Sequence, residues 1–131
     1  MNRQSLEEKE LKLELRLAQL ERNEACQNNF LQFVRRLWPE FITGRHHEII
    51  AEKLERVAKG ELKRLIINMA PRHTKSEFAS FLFPAWMMGR KPNMKIIQAT
   101  HTTELAVNFG RKTKNMIDSD EYKEIFPEVK L

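Results

Sequence analysis

The segment that most limits the possible folds is Leu65-Ile-Ile-Asn-Met69, a short apolar run rich in β-branched residues. Such a run predicts a strand buried on both faces. It passes through Ala70-Pro-Arg-His-Thr-Lys-Ser76 into a helical pattern carried by Phe78, Phe81, Leu82, Ala85 and Trp86. Gly89 and Pro92 end that pattern, and Pro84 inside it predicts a kink. Lys95-Ile-Ile-Gln-Ala99 repeats the strand pattern, and Thr102 or Thr103 then caps a helix with Leu105, Ala106, Phe109, Met116 and Ile117 on its apolar face. Strand, loop, helix, strand, helix predicts an α/β fold, the start of a parallel sheet with right-handed crossovers.

Three helical patterns precede that unit. From Ser5 to about Asn28, Leu6, Leu13, Leu17 and Leu20 form one stripe with Leu11 and Leu15 beside it, and Ser5 followed by Glu8 reads as a capping box. The narrow stripe suits docking on the following domain or on a neighbouring subunit, and equally a solvated extension. Asn29 to Trp38 is a second amphipathic piece, stopped by Pro39. A third follows Gly44, with Ile49, Ile50, Leu54 and Val57 on one side and Gly60 as its stop. The chain divides into an N-terminal amphipathic helix, 1–28, and an incomplete α/β domain, 29–131.

Charge and cysteine narrow the function classes. The net charge is +5 in 131 residues, yet residues 1–27 hold five Lys/Arg against six Asp/Glu, so the excess of +6 lies beyond them. That excess suits a polyanionic partner, nucleic acid or nucleotide. Arg90, Lys91, Arg111, Lys112 and Lys114 are basic positions that could face DNA or simply be solvated. The single cysteine, Cys26, excludes an internal disulfide and fits a reducing cytosol. No apolar stretch is long enough to cross a bilayer. His46, His47, His73 and His101 show no metal-ligand spacing.

The chemistry is concentrated at residues 69–76. Amide groups at a helix N-terminus favour bound phosphate. A lysine placed there reaches the outer phosphates, and a serine hydroxyl ligates Mg²⁺; Lys75 and Ser76 occupy those places. Against the P-loop pattern G-x-x-x-x-G-K-[ST], Met69 and Thr74 replace the two glycines. A left-handed Thr74 would cost about 1–2 kcal/mol. The other reading is an ordinary strand-to-helix turn with a solvated Lys75.

The string Arg64-Leu-Ile-Ile-Asn-Met-Ala-Pro-Arg-His-Thr-Lys-Ser76 resembles the ATP-binding loop of phage terminase large subunits. The likeness continues through Phe83-Pro-Ala-Trp86, Gly89-Arg90, Ile97-Gln-Ala-Thr-His-Thr-Thr-Glu-Leu-Ala106, Phe109-Gly-Arg111 and Ile125-Phe-Pro127, and upstream through His46-His47 to Gly60. It covers roughly residues 28–131, as a series of blocks. The resemblance implies a P-loop ATPase that drives viral double-stranded DNA into a procapsid. It implies a homo-oligomeric ring acting with a portal and a small terminase subunit in the host cytoplasm, and a nuclease domain not present here. It also implies the ATP site: Pro71, Arg72, His73, Thr74, Lys75 and Ser76, with Lys75 on the outer phosphates, Arg72 at the γ-phosphate and Mg²⁺ on Ser76. His46 or His47 could pack on adenine, or be a surface or capping histidine.

Hydrolysis further needs an acid at the end of a buried strand and a carboxylate to orient water. The first predicted strand runs into Pro-Arg and the second into Gln-Ala-Thr-His. The expectation is therefore a piece of a longer motor subunit that binds nucleotide and turns over little. Two other readings remain: a non-catalytic assembly module with a vestigial loop, and another P-loop enzyme such as a helicase-like translocase or a small-molecule kinase.

Overall fold

A computed structural model describes residues 2–70 and 77–130 of the chain. Among the described residues the architecture is helical: α1 (Arg3–Asn28), α2 (Phe30–Leu37), α3 (Arg45–Ala58), a π-helical turn (Glu77–Leu82), α4 (Phe83–Arg90), α5 (Thr103–Ile117) and α6 (Asp120–Ile125). The parallel sheet expected from the sequence is absent, and the α/β assignment is corrected accordingly: no strand occurs among the described residues. Residues 62–70 and 93–100 run between helices without regular structure.

The physical reason lies in which side of each run is covered. Leu65, Ile67 and Met69 pack against the helical core, whereas Ile66 is 85% exposed. The first apolar run is thus covered on one side only, with every second residue turned outward. The second run is barely covered, since Ile97 is 95% exposed. It is tied down by a side chain instead, the Gln98 amide donating to the Ser80 carbonyl at 2.8 Å.

That carbonyl is available because of Pro84. Proline has no N–H to return to the carbonyl four residues earlier, which here is Ser80. The predicted kink takes the form of a change in helix type, with a π-helical turn up to Leu82 and α-helix from Phe83.

Local sequence explains most helix ends. Asn29 caps α2, its side-chain oxygen accepting from the Gln32 N–H at 3.0 Å, and Thr102 caps α5 by accepting from Leu105 at 3.2 Å. Gly60, at φ 79°, carries the chain out of α3 in the left-handed conformation that glycine adopts freely. The capping box expected at Ser5 is not formed: the N-cap lies three residues earlier, at Asn2, with no side-chain cap bond.

The core is aromatic. Phe30, Phe33, Phe78, Trp86 and Tyr122 are fully buried. Phe30 sits at its centre, 5.5 Å from Phe78 and 5.4 Å from Trp86 between ring centroids. Three polar groups in this core are matched: the Phe30 N–H donates to the Glu55 carboxylate at 2.9 Å, the Trp86 indole N–H to the Cys26 carbonyl at 3.0 Å, and the Tyr122 hydroxyl to the Ala85 carbonyl at 2.6 Å, whereas the buried Asn23 Oδ1 has no hydrogen-bond partner among the described residues. Burial pushes the Tyr122 phenol well above its usual pKa, so it remains a donor throughout the neutral range.

Tyr122→Phe keeps the ring but leaves the Ala85 carbonyl without its donor. A loss of about 1–3 kcal/mol is expected, read from the denaturation midpoint of the variant with an unchanged m-value.

Helix α6 has only six residues and is held from outside. The Asn23 side-chain amide donates to the Glu124 carbonyl at 3.2 Å and that of Gln27 to the Ile125 carbonyl at 2.6 Å. These are last-turn carbonyls with no partner inside the helix. The last turns of α1 thus belong to the core, through buried Asn23 and Cys26, while residues 6–18 are exposed on every side.

Candidate functional site

Of the expected ATP-site residues, Pro71, Arg72, His73, Thr74, Lys75 and Ser76 lie outside the described residues. What is described is their frame. The chain enters this stretch from the run ending Leu65–Ala70 and leaves it at Glu77, where the π-helical turn begins. That turn is fixed to the core by Phe78 and Leu82, which are buried to 0% and 1% exposure. Both ends of the six-residue stretch are therefore anchored by apolar contacts, on one side through Met69 and Ile67 and on the other through Phe78.

His46 and His47 begin α3 beside this frame and take different positions. His47 is buried, its Nδ1 accepting from the Gly44 N–H at 2.8 Å, so it caps the start of α3. Its ring also packs on Phe41 and Phe78, at 4.7 and 5.2 Å. This links the α3 N-terminus directly to the first residues after the loop. His46 is exposed, with its ring 3.8 Å from that of His47.

His46 lines an open groove of about 280 Å³ together with Ile49, Ile50 and Lys53 of α3 and residues 65–69. The walls are mostly aliphatic, with one ammonium group from Lys53. That size is just below the range of roughly 300–1,000 Å³ typical of small-molecule sites. A flat heteroaromatic ring could lie against Ile49 and Ile66, whose exposures are 53% and 85%.

Two of the basic positions rest on aromatic rings. The Arg90 guanidinium lies 4.7 Å from the Trp86 ring centroid, and the Lys112 ammonium lies 5.5 Å from that of Phe81. Both cover aromatic surface. Arg111 and Lys114 are exposed on α5, and Lys91 is exposed just beyond α4.

Cys26 is buried, and burial raises its thiol pKa, with Arg36 opposing the shift more weakly. A desolvated, protonated thiol is a poor nucleophile. Its backbone carbonyl has the structural task, receiving the Trp86 N–H. No group of three or more His, Cys, Asp or Glu side chains suited to a metal occurs among the described residues. No described helix is long and apolar enough to cross a membrane.

Sequence reasoning missed the groove itself. Its signal was present in the aliphatic side chains one turn beyond His46, at Ile49 and Ile50, which were read only as one side of the third helix. No described protein family, no curated protein and no solved structure matches this chain. The terminase resemblance therefore rests on the residues that carry it.

Proposed function

We propose that this chain is the nucleotide-binding part of a phage terminase large subunit, holding ATP with Mg²⁺ at residues 71–76. The observation that carries the reading is the sequence Pro71-Arg-His-Thr-Lys-Ser76, set between an apolar run anchored on the core and a helical segment beginning at Glu77. The donor set fits a magnesium triphosphate: an ammonium for the outer phosphates, a guanidinium for the terminal one and a hydroxyl for the cation. In this reading Lys75 binds the outer phosphates, Arg72 meets the γ-phosphate and Ser76 contacts Mg²⁺. The groove beside His46 receives the base, with Ile49 and Ile66 against its face. When bound, Mg²⁺ neutralises charge on the outer phosphates.

Binding, rather than turnover, is the property proposed for these residues. Neither irregular run ends in a carboxylate that could hold the cation or orient water. The wider reading places the subunit in a homo-oligomeric ring on double-stranded DNA, with a portal and a small terminase subunit, in the host cytoplasm.

The test is a titration of the chain with a fluorescent ATP analogue, with and without Mg²⁺, followed by competition. Saturable binding that needs Mg²⁺ and is displaced by ATP but poorly by AMP is expected, with no phosphate release. Equal displacement by AMP and ATP would remove the phosphate-binding assignment. A second reading, a non-catalytic assembly module, is favoured by one observation, the exposed leucines along α1.

A further inference from the structure

Helix α1 carries leucines that the described residues leave about half exposed or more. Leu6, Leu13, Leu17 and Leu20 are 45%, 70%, 58% and 48% exposed. Their spacings are seven, four and three residues. At about 100° per residue they fall within an arc of roughly 60°. This stripe lies beside the face that carries Asn23 and Cys26 into the core, so docking of the helix on its own body leaves the stripe open.

The charges bordering the stripe are sorted by sign. Taking Leu6, Leu13 and Leu20 as the d positions of a heptad and Leu17 as an a position, Lys9 and Arg16 fall at g while Glu7, Glu14 and Glu21 fall at e. One border is basic and the other acidic.

In a parallel pair of helices each g residue faces the e residue five positions further along the other helix. Lys9 would meet Glu14 of the second copy, and Arg16 would meet Glu21 of the second copy, twice over by symmetry. In an antiparallel pair g faces g and e faces e, and both borders repel. A partner with uniformly charged borders would satisfy only one side. A parallel copy of the same helix satisfies both.

We infer that α1 is a self-association element, pairing two copies of this chain as a short parallel coiled coil through Leu6, Leu13, Leu17 and Leu20. It rests on α1 alone and is independent of the nucleotide reading. Pairing places both bodies at the C-terminal end of the coil, where α1 joins the core. The coil spans little more than two heptads, and Glu10 stands at an a position opposite Glu10 of the second copy. A charge in the seam weakens pairing, which makes the association concentration-dependent.

The experiment is sedimentation equilibrium of the full chain over a range of concentrations, with circular dichroism to verify that each variant is folded. The wild-type chain is expected to shift from monomer to dimer as concentration rises. Leu13→Asn with Leu17→Asn should leave monomer only, whereas Leu11→Asn, which at about 100° per residue falls on the opposite side of the helix and not beside the stripe as first expected, should change nothing. Glu10→Leu should tighten the dimer about tenfold, corresponding to about 1.4 kcal/mol.

Charge reversal tests the orientation. Lys9→Glu with Arg16→Glu, and separately Glu14→Lys with Glu21→Lys, should each weaken pairing about tenfold or more. An equimolar mixture of the two should recover the wild-type affinity. A wild-type chain that stays monomeric throughout overturns the inference. So does a mixture that associates far more tightly than wild type, because that is the pattern of an antiparallel pair. Equal loss from Leu11→Asn and Leu13→Asn would show indiscriminate apolar contact and likewise overturn it.

Discussion

Lys75→Ala is expected to weaken binding of an ATP analogue by about 10- to 150-fold while the far-ultraviolet circular dichroism stays unchanged. The range follows from a hydrogen bond to a charged group, about 1.5–3 kcal/mol, converted to a ratio of dissociation constants. The fold should be indifferent, because the core that flanks this stretch is made by Met69, Phe78 and Leu82. Lys75→Arg is the informative companion. Arginine retains the charge but presents a wide planar fork in place of a compact ammonium, so partial recovery is expected if Lys75 contacts phosphate. The readout is the dissociation constant in a fluorescence titration at fixed Mg²⁺. An affinity unchanged in the alanine variant would assign any nucleotide binding to the groove beside His46 and remove the phosphate role from Lys75.

Trp86→Ala is expected to produce the largest loss of stability of any single replacement considered, about 3–5 kcal/mol. The side chain is fully buried and lies in the middle of the aromatic core, 5.4 Å from Phe30 and 6.2 Å from Phe83. Its removal opens a cavity among rings that cannot collapse easily. It also leaves the Cys26 carbonyl without the indole donor and uncovers the surface on which Arg90 rests. Domains of this size have total stabilities of roughly 5–15 kcal/mol, so the variant should lose about a fifth or more of its margin. A thermal or urea denaturation midpoint reads the effect directly. Trp86→Phe separates the two contributions, since it keeps most of the packing and forfeits only the N–H. A midpoint for Trp86→Ala within 1–2 °C of wild type would contradict the packing described for this core.

The helices were legible in the sequence to the extent that they carry a periodic apolar face and a residue that stops them. Asn29, Thr102 and Gly60 punctuate α2, α5 and α3 where composition says they should. Pro84 was legible as an irregularity, but not as a π-helical turn whose freed Ser80 carbonyl ties down Gln98. Helix α6 was not read, although Ser119 followed by Asp120 and Glu121 is a helix start. It is too short to show a period, and its last carbonyls depend on amides from α1, a contact no local pattern reveals.

The sheet was the substantive miss. A run such as Leu65-Ile-Ile-Asn-Met69 looks identical whether it is covered on two sides or on one, and hydropathy does not say what lies above it. Ile66 and Ile97, facing outward, are the residues that decide the matter. At the candidate site, the chemistry of Lys75 and Ser76 was legible from residue type and order. The groove beside His46 was not, because one wall is α3 and the other, residues 65–69, follows only after the end of that helix and the turn beyond it.

The side-chain amides of Asn23 and Gln27 each reach about a hundred residues along the chain, to the carbonyls of Glu124 and Ile125. Synthesis proceeds from the N-terminus, so α1 leaves the ribosome long before either acceptor exists. Until residue 125 has emerged, α1 is tied forward only by such links as the Trp86 N–H on the Cys26 carbonyl, and the aromatic core lacks Tyr122 to close it. Closing so long a loop is entropically costly and is deferred to the end of folding. Phe33 therefore stays without its Tyr122 and Phe126 neighbours until residues 122–126 are made, the interval in which the nascent chain most needs a chaperone.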